Sequence, residues 1–254
     1  MKQSQGRRRR ESVVHHISGD RRTINAGQQQ KHGLHQPNAN ASEQTKNMEV
    51  LPPHYPPTPP SLLFVLSGPS GVGKDAVINR LKEKCCPWHF TVTVTTRPPR
   101  PGEIHGQSYF FATQEEFEQM KQRDELLEWA FVHGYYYGTP IKQVREALRN
   151  GKDVFLKIDV QGAAQIKRRI PDAVFIFLGP EKVESLYARL AQRGTESPEQ
   201  MATRLRNAYE EMKHLPEYDY LVINPEQRLE EAVRQIECIV AAEKSRVKPR
   251  KIEV

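Results

Sequence analysis

A glycine-rich loop between an apolar run and a helical segment is the feature that most constrains this chain. Residues 68–74 are Gly-Pro-Ser-Gly-Val-Gly-Lys, and the five residues at 62–66 are all apolar. A buried strand, then G-x-x-x-x-G-K, then a helix is the context in which this motif binds phosphate. The glycines let successive backbone N–H groups face an anion, and the helix N-terminus adds a favourable dipole. The motif predicts a phosphate site in which Lys74 reaches the β- and γ-phosphate oxygens.

The position after Lys74 departs from the usual motif. A Ser or Thr hydroxyl that contacts Mg²⁺ ordinarily stands there, and this chain has Asp75. A carboxylate is also an oxygen ligand, so Asp75 is the candidate metal contact of the loop.

The rest of the folded part alternates short apolar runs with amphipathic stretches. Residues 154–158, 174–178 and 220–223 are predicted strands, and residues 74–84 and 226–244 are predicted helices. Such alternation is typical of an α/β fold, and right-handed crossovers then produce a doubly wound, largely parallel sheet.

Residues 90–139 break this alternation. The block is rich in Thr, Arg, Tyr and Gly, and it contains one short predicted helix at 114–123. Arg97 and Arg100 stand three residues apart beside hydroxyl residues, and guanidinium forks suit the paired oxygens of a phosphate monoester. Glu128 precedes the aromatic run at 134–139. Taken singly, these features are more typical of a solvated charge and an aromatic core patch than of a binding site.

Together the motifs resemble the guanylate kinase family in order along residues 62–244. They are T-T-R-x-P-R-x-G-E at 95–103, Y-Y-G at 136–138, I-D-x-Q-G at 158–162, R-L-x-x-R-G at 189–194 and Y-D-Y at 218–220. The resemblance implies a P-loop nucleoside monophosphate kinase fold with a GMP-binding insertion at 90–139 and a lid at about 187–204. It also implies transfer of a phosphoryl group from Mg²⁺-bound ATP to GMP, which yields ADP and GDP in purine nucleotide metabolism.

The resemblance assigns site residues position by position. The ATP-binding set is Gly68, Pro69, Ser70, Gly71, Val72, Gly73, Lys74 and Asp75, with Asn224 at the adenine. The GMP-phosphate set is Thr93, Arg97, Arg100, Tyr109 and Tyr137, and the guanine set is Glu128, Thr139 and Asp159. Lys74, Arg97, Arg189, Arg193 and Arg204 are the implied catalytic cations, the last three from the lid region. Guanine presents an N1–H and an amine as donors, and carboxylates accept such donors strongly.

A second departure from the family pattern involves Lys157, which replaces the first Asp of D-I-D. Lys157 and Asp159 share one face of a strand because strand side chains alternate. We expect Lys157 to lie beside Asp75 as a charge-exchanged pair.

The basic charge of the chain lies mostly in its first sixty residues. They carry nine of the 38 Lys and Arg residues and four of the 31 Asp and Glu residues, which is +5 of the total +7. Residues 1–60 lack apolar periodicity and end in six prolines among residues 52–60, so a disordered tail and an extended spacer are expected. The domain is predicted at 61–246, followed by a basic tail at 247–254. Neither a nucleic-acid partner nor a membrane partner is expected, and oligomeric state stays open between monomer and dimer.

Alternative interpretations remain at this point. Guanylate-kinase-like scaffold modules lack catalysis, but they tend to lose the loop lysine and parts of the arginine set, which this chain retains. A nucleoside monophosphate kinase with another acceptor is the second alternative. The cytoplasm is the expected location, and a mitochondrion or plastid is the alternative if the basic tail is a transit peptide.

Overall fold

The computed structural model describes residues 58–84, 86–132, 134–186 and 198–254. All of them belong to one compact unit, Pro56–Val254. The strands are β1 Leu63–Ser67, β2 His89–Phe90, β3 Val94–Thr95, β4 Phe110–Phe111, β5 Leu126–Val132, β6 Tyr135–Pro140, β7 Val154–Lys157, β8 Val174–Pro180 and β9 Tyr220–Asn224. The helices are α1 Lys74–Glu83, α2 Gln114–Gln122, α3 Ile141–Arg149, α4 Val160–Arg169, α5 Pro198–Met212 and α6 Leu229–Lys244, with a 3₁₀ turn at Leu215–Glu217.

The main sheet has five strands in the order β2-β7-β1-β8-β9, and all its neighbouring pairs are parallel. The predicted α/β class and parallel sheet are therefore confirmed. From β1 the chain passes first to β2 on one side and later to β8 and β9 on the other. Ligand sites in open parallel sheets lie at the carboxyl ends of strands where the order reverses in this way, which is where β1 delivers the glycine-rich loop.

The two faces of β1 supply two separate hydrophobic cores. Phe64 and Leu66 pack with side chains of α1 and α6, whereas Leu63 and Val65 pack with side chains of α3 and α4. All five residues of β1 are buried because helices cover both faces of the sheet. This burial explains why the strand is a continuous apolar run.

The block at 90–139 forms a second sheet of four strands in the order β4-β3-β6-β5. The pairs β3–β6 and β5–β6 are antiparallel, and β3–β4 is parallel. A small core of Val94, Phe117 and Leu126 joins α2 to this sheet. The Thr113 side chain caps α2 by accepting from the Glu116 N–H, and the Glu116 carboxylate accepts in return from the Thr113 N–H.

The C-terminal residues lie against the main sheet. Arg250 donates to both carboxylate oxygens of Glu243 at 3.0 and 3.1 Å and to the Ala173 carbonyl at 3.3 Å, and it forms an ion pair with Asp219 at 3.5 Å. Ile252 packs against both hydrophobic cores. The segment predicted as a basic tail therefore uses one of its cations to hold α6 and β8 together.

None of the described helices is long and apolar enough to cross a membrane.

Candidate active site

The glycine-rich loop begins directly after β1, at a position that only glycine can occupy. Gly68 has φ +141°, and a Cβ atom there would lie 2.2 Å from the carbonyl oxygen of Leu178 on β8. Lys74 opens α1, and its Nζ donates to the carbonyls of Gly68 at 2.6 Å and Pro69 at 3.2 Å. Burial lowers the pKa of Lys74, against the opposing field of Glu211. The Lys74 side chain thus folds back onto its own loop, where its ammonium group would reach a phosphate.

Glu211 on α5 makes a direct contact with this loop. Its Oε2 accepts from the Ser70 N–H at 2.7 Å. Burial raises the pKa of Glu211, and the hydrogen bond from Ser70 opposes that rise. Arg204 lies seven residues earlier on α5, which is two helical turns, so it occupies the same face as Glu211. The contact joins the loop to the helix that carries the described part of the predicted lid.

Asn224 forms a hydrogen bond with the glycine-rich loop from the end of β9. It ends β9, is only 4% exposed, and its Nδ2 donates to the Val72 carbonyl at 2.8 Å. This hydrogen bond satisfies a carbonyl inside the loop and fixes the loop against the sheet. The expected contact of Asn224 with adenine stays a prediction.

Two carboxylates, the buried Glu128 and the half-buried Asp159, lie close together near the start of α4. Glu128 on β5 is 3% exposed, and its Oε1 accepts from the Thr139 hydroxyl on β6 at 2.6 Å. Asp159 caps α4 by accepting from the Gly162 N–H at 3.0 Å. A Cβ on Gly162 would lie 2.4 Å from Glu128 Oε2, so glycine is required for the two elements to approach. Burial raises the pKa of Glu128 to about 8, with a further rise from the Asp159 charge and an opposing effect of Thr139.

The predicted phosphate-binding arginines lie beside aromatic rings of the insertion. Arg97 is 7% exposed, and it donates to both oxygens of Glu103 at 2.7 and 2.9 Å. Its guanidinium lies 5.4 Å from the centroid of the Tyr109 ring. The Arg100 backbone N–H also donates to Glu103, at 2.7 Å, and the Arg100 side chain lines a neighbouring cleft. Glu103 therefore orients the turn that carries both arginines.

Lys157 ends β7 and contacts the first turn of α1. Its Nζ donates to Asp75 Oδ1, and it lies 5.3 Å from the centroid of the Tyr109 ring. Burial by itself would lower the pKa of Lys157, but the interactions with Asp75 and Tyr109 outweigh it. The pKa of Lys157 is therefore raised. The expected contact between Asp75 and Lys157 is present.

One cleft brings most of these groups together. It is lined by Ser70, Lys74, Asp75, Thr93, Tyr109, Glu128, Val132, Tyr137, Lys157, Ile158, Asp159 and Glu211. The loop that predicts phosphate binding thus opens into the same space as Glu128 on β5 and Asp159 at the N-cap of α4. Such a cleft suits a ligand with an anionic end at the loop and a hydrogen-bond-donating end at Glu128.

Known proteins resemble this chain over most of its length. The family model described as guanylate kinase matches residues 61–243. The chain is 46% identical over 199 residues to "Guanylate kinase 2, chloroplastic/mitochondrial" of Oryza sativa subsp. japonica, with 78% of this chain and 70% of the relative covered. It is also 46% identical over 186 residues to a guanylate kinase of Caldanaerobacter subterraneus subsp. tengcongensis, with 73% and 89% covered. The crystal structure of guanylate kinase from Anaplasma phagocytophilum aligns with a TM-score of 0.62 at 31% identity, with 75% of this chain and 89% of that chain covered.

The chain belongs to the guanylate kinase family.

The structure of this guanylate kinase-family chain places most of the predicted residues in three groups, and Arg204 lies on α5. Ser70, Lys74, Asp75, Thr93, Tyr109, Glu128, Tyr137 and Asp159 line the main cleft. Arg97, Arg100, Thr139 and Asn224 lie next to it and support it or the loop through the contacts above. Arg189 and Arg193 lie outside the described residues.

Two residues of the site were absent from the sequence-based assignment. Glu211 lies in a charged helical stretch with no local signal, and its contact with Ser70 joins residues 141 positions apart. Glu103 belongs to the recognised motif of 95–103, so its pairing with Arg97 six residues away could have been inferred from the opposite charges.

Proposed function

We propose that this guanylate kinase-family chain catalyses the transfer of the ATP γ-phosphoryl group to GMP, which forms ADP and GDP. The observation that carries the proposal is the single cleft lined by Lys74 at one end and by Glu128 and Asp159 at the other. The first end suits a polyphosphate, and the second suits the N1–H and amine of guanine. Adenine has neither an N1–H nor an amine at that edge, so it would leave these acceptors unpaired, which costs more than a missing contact.

The roles of the site residues follow from their positions. Lys74 and the loop N–H groups bind the ATP phosphates, Tyr109 and Tyr137 with Arg97 and Arg100 hold the GMP phosphate, and Glu128 with Asp159 reads guanine. Phosphoryl transfer spreads charge over the equatorial oxygens of the moving group, so positioning and positive charge supply most of the catalysis. Glu103 contributes by fixing the guanidinium of Arg97 above Tyr109 before substrate arrives.

A magnesium ion bound with ATP fits the donor set of this site. Within the described part of the chain there is no cluster of three or more His, Cys, Asp or Glu side chains that could hold a metal by itself. Mg²⁺ is commonly held by one or two carboxylates together with substrate phosphates and waters. Asp75 is the carboxylate in position to contribute, since it lies in the first turn of α1 and its side chain is 65% exposed. When bound, the ion would neutralise charge on the β- and γ-phosphates.

A coupled assay of ATP consumption tests the proposal directly. GMP, AMP, UMP and dTMP are offered separately as acceptors, with Lys74→Met as the matched inactive control. We expect turnover with GMP to exceed that with AMP by at least about tenfold, because one lost buried pairing costs about 1–3 kcal/mol. Equal rates with AMP and GMP would refute the guanine assignment. If none of the four acceptors is phosphorylated, the result would favour the non-catalytic scaffold.

We also propose a cytoplasmic location, with a mitochondrion or plastid as the alternative. The basic, acid-poor composition of residues 1–60 and the name of the rice relative support that alternative. A fluorescent protein fused behind residues 1–60 distinguishes the two by microscopy. Diffuse fluorescence is expected, and import into an organelle would overturn it.

A further inference from the structure

Two residues that depart from the usual phosphate-loop pattern touch each other. A hydroxyl ordinarily follows the loop lysine, and a carboxylate on a nearby strand ordinarily completes the metal–phosphate site of P-loop enzymes. This chain has Asp75 at the first position, and its β7 ends in Lys157, whose Nζ donates to Asp75 Oδ1. Parallel pairing of β1 with β7 sets Leu66 opposite Lys157, so Lys157 reaches the sheet edge from which the loop emerges.

Lys157 also reaches the acceptor half of the cleft. Its Nζ lies 5.3 Å from the centroid of the Tyr109 ring, and the centroids of the Tyr109 and Tyr137 rings are 6.2 Å apart. It lines both the main cleft and the neighbouring one that contains Arg100. The Lys157 side chain is 25% exposed, against 65% for Asp75. The ammonium therefore stands between the phosphate loop and the tyrosines expected to hold the acceptor phosphate.

The exchange alters the charge at the phosphate site. A hydroxyl with a carboxylate has a charge of about −1, whereas Asp75 with Lys157 is neutral when both are ionised. A metal-free nucleotide is a polyanion, so it meets less repulsion from the neutral pair. The usual arrangement relies on Mg²⁺ to offset that negative charge.

We propose that Lys157 and Asp75 form a charge-exchanged positioning pair for the nucleotide phosphates. Lys157 orients the Asp75 carboxylate at the start of α1 and supplies positive charge that lowers the dependence of nucleotide binding on Mg²⁺. The inference rests on the proposed function, because it assigns the cleft to a nucleotide and its phosphates.

A double-mutant cycle read by ADP binding tests the pair without any need for turnover. Asp75→Ser, Lys157→Asp and the double variant are compared with the parent chain by titration calorimetry, once with Mg²⁺ and once with EDTA. Asp75→Ser leaves a cation without its partner, and Lys157→Asp sets two carboxylates together, so each single change should alter ADP affinity. The double variant should regain much of the affinity with Mg²⁺ because residues in contact are not additive.

The Mg²⁺ dependence provides the sharper readout. The ratio of the ADP dissociation constants in EDTA and in Mg²⁺ should be roughly five- to tenfold larger for the double variant than for the parent, since its site carries one more negative charge. Lys82→Met is the matched control, because Lys82 lies on α1 and lines the neighbouring cleft. Its replacement lowers the net charge by one unit, as the double variant does, but leaves the contact between Asp75 and Lys157 in place. The control should leave the ratio within about twofold of the parent, well inside the effect of a full contact pair.

Two results would overturn the proposal. In the first, the fold-change in ADP affinity of the double variant equals the product of the fold-changes of the two single variants. In the second, the ratio of the ADP dissociation constants in EDTA and in Mg²⁺ is the same for the double variant and the parent. If thermal melting shows that Lys157→Asp does not fold, Lys157→Met takes its place, because it keeps the alkyl chain and removes the charge. Asp75→Ser should then have a smaller effect in the Lys157→Met background than in the parent, and an equal effect would refute the pair. A chain with coupled ADP binding and no GMP phosphorylation would refute the proposed function alone.

Discussion

GMP binding by this chain should strengthen as the pH rises from 6 to 8, and Glu128→Gln should remove the part of that dependence that Glu128 causes. The carboxyl group of Glu128, on β5, is buried, and this burial raises its pKa to about 8. A protonated acid cannot accept from both the N1–H and the amine of guanine, so GMP must bind the ionised form or displace the proton. Affinity is therefore present above the raised pKa and is lost as the pH falls below it.

The size of the effect follows from the fraction of Glu128 that is ionised. With a pKa of about 8, roughly one hundredth is ionised at pH 6, one tenth at pH 7 and one half at pH 8. The association constant for GMP should then rise about tenfold from pH 6 to 7, rise about fivefold from pH 7 to 8, and level off above. At pH 7, binding should release about 0.9 proton, again from the ionised fraction.

Titration calorimetry in buffers of different ionisation enthalpy measures both the affinity and the released protons. The GMP phosphate has its own pKa near 6, and comparison with Glu128→Gln subtracts its contribution. Glu211→Gln is the matched control, because Glu211 is the other carboxyl of the cleft whose pKa burial raises, and it contacts the ATP loop instead. The control should keep the pH dependence. The reasoning is refuted if the parent and Glu128→Gln release the same number of protons at pH 7.

The same shift predicts a difference in stability. The folded chain keeps the Glu128 proton up to about pH 8, whereas the unfolded chain loses it near pH 4.5. Relative to Glu128→Gln, the free energy of unfolding of the parent should fall with rising pH between those values, by at most about 1.4 kcal/mol per pH unit. Urea unfolding at pH 5, 6, 7 and 8 on both proteins gives this difference. A difference that grows in the opposite direction would contradict the raised pKa.

Three further outcomes are expected. Asn224→Ala should lower the free energy of unfolding by about 1–3 kcal/mol in urea, because it leaves the Val72 carbonyl without its donor, and it should raise the KM for ATP more than that for GMP. Arg250→Ala should cost about 3 kcal/mol in the same experiment, because Glu243 would keep a buried charge without this partner, whereas Arg246→Ala at the exposed end of the cluster should cost under about 1 kcal/mol. A chain that starts at Pro59 should keep kcat/KM for GMP within tenfold of the full chain, about 1.4 kcal/mol in transition-state terms, and a larger loss would mean that residues 1–58 contact the site.

The sequence alone was sufficient for the phosphate loop and the parallel sheet. Both depend on local order: β1 is apolar throughout because helices cover both its faces, and the loop motif is contiguous from Gly68 to Lys74. The predicted strands and helices agree with the structure to within about two or three residues, the ordinary uncertainty of element ends. The alternation of β1 side chains between two cores likewise follows from the period of a strand.

Tertiary structure decided which distant polar groups meet. Glu211 reaches the Ser70 N–H across 141 positions, and Asn224 reaches the Val72 carbonyl across 152. No local pattern encodes these contacts, because helix packing and strand order bring the groups together. Burial is likewise a property of the folded chain: the sequence marks Glu128 as a candidate acceptor, but only its burial after folding raises its pKa.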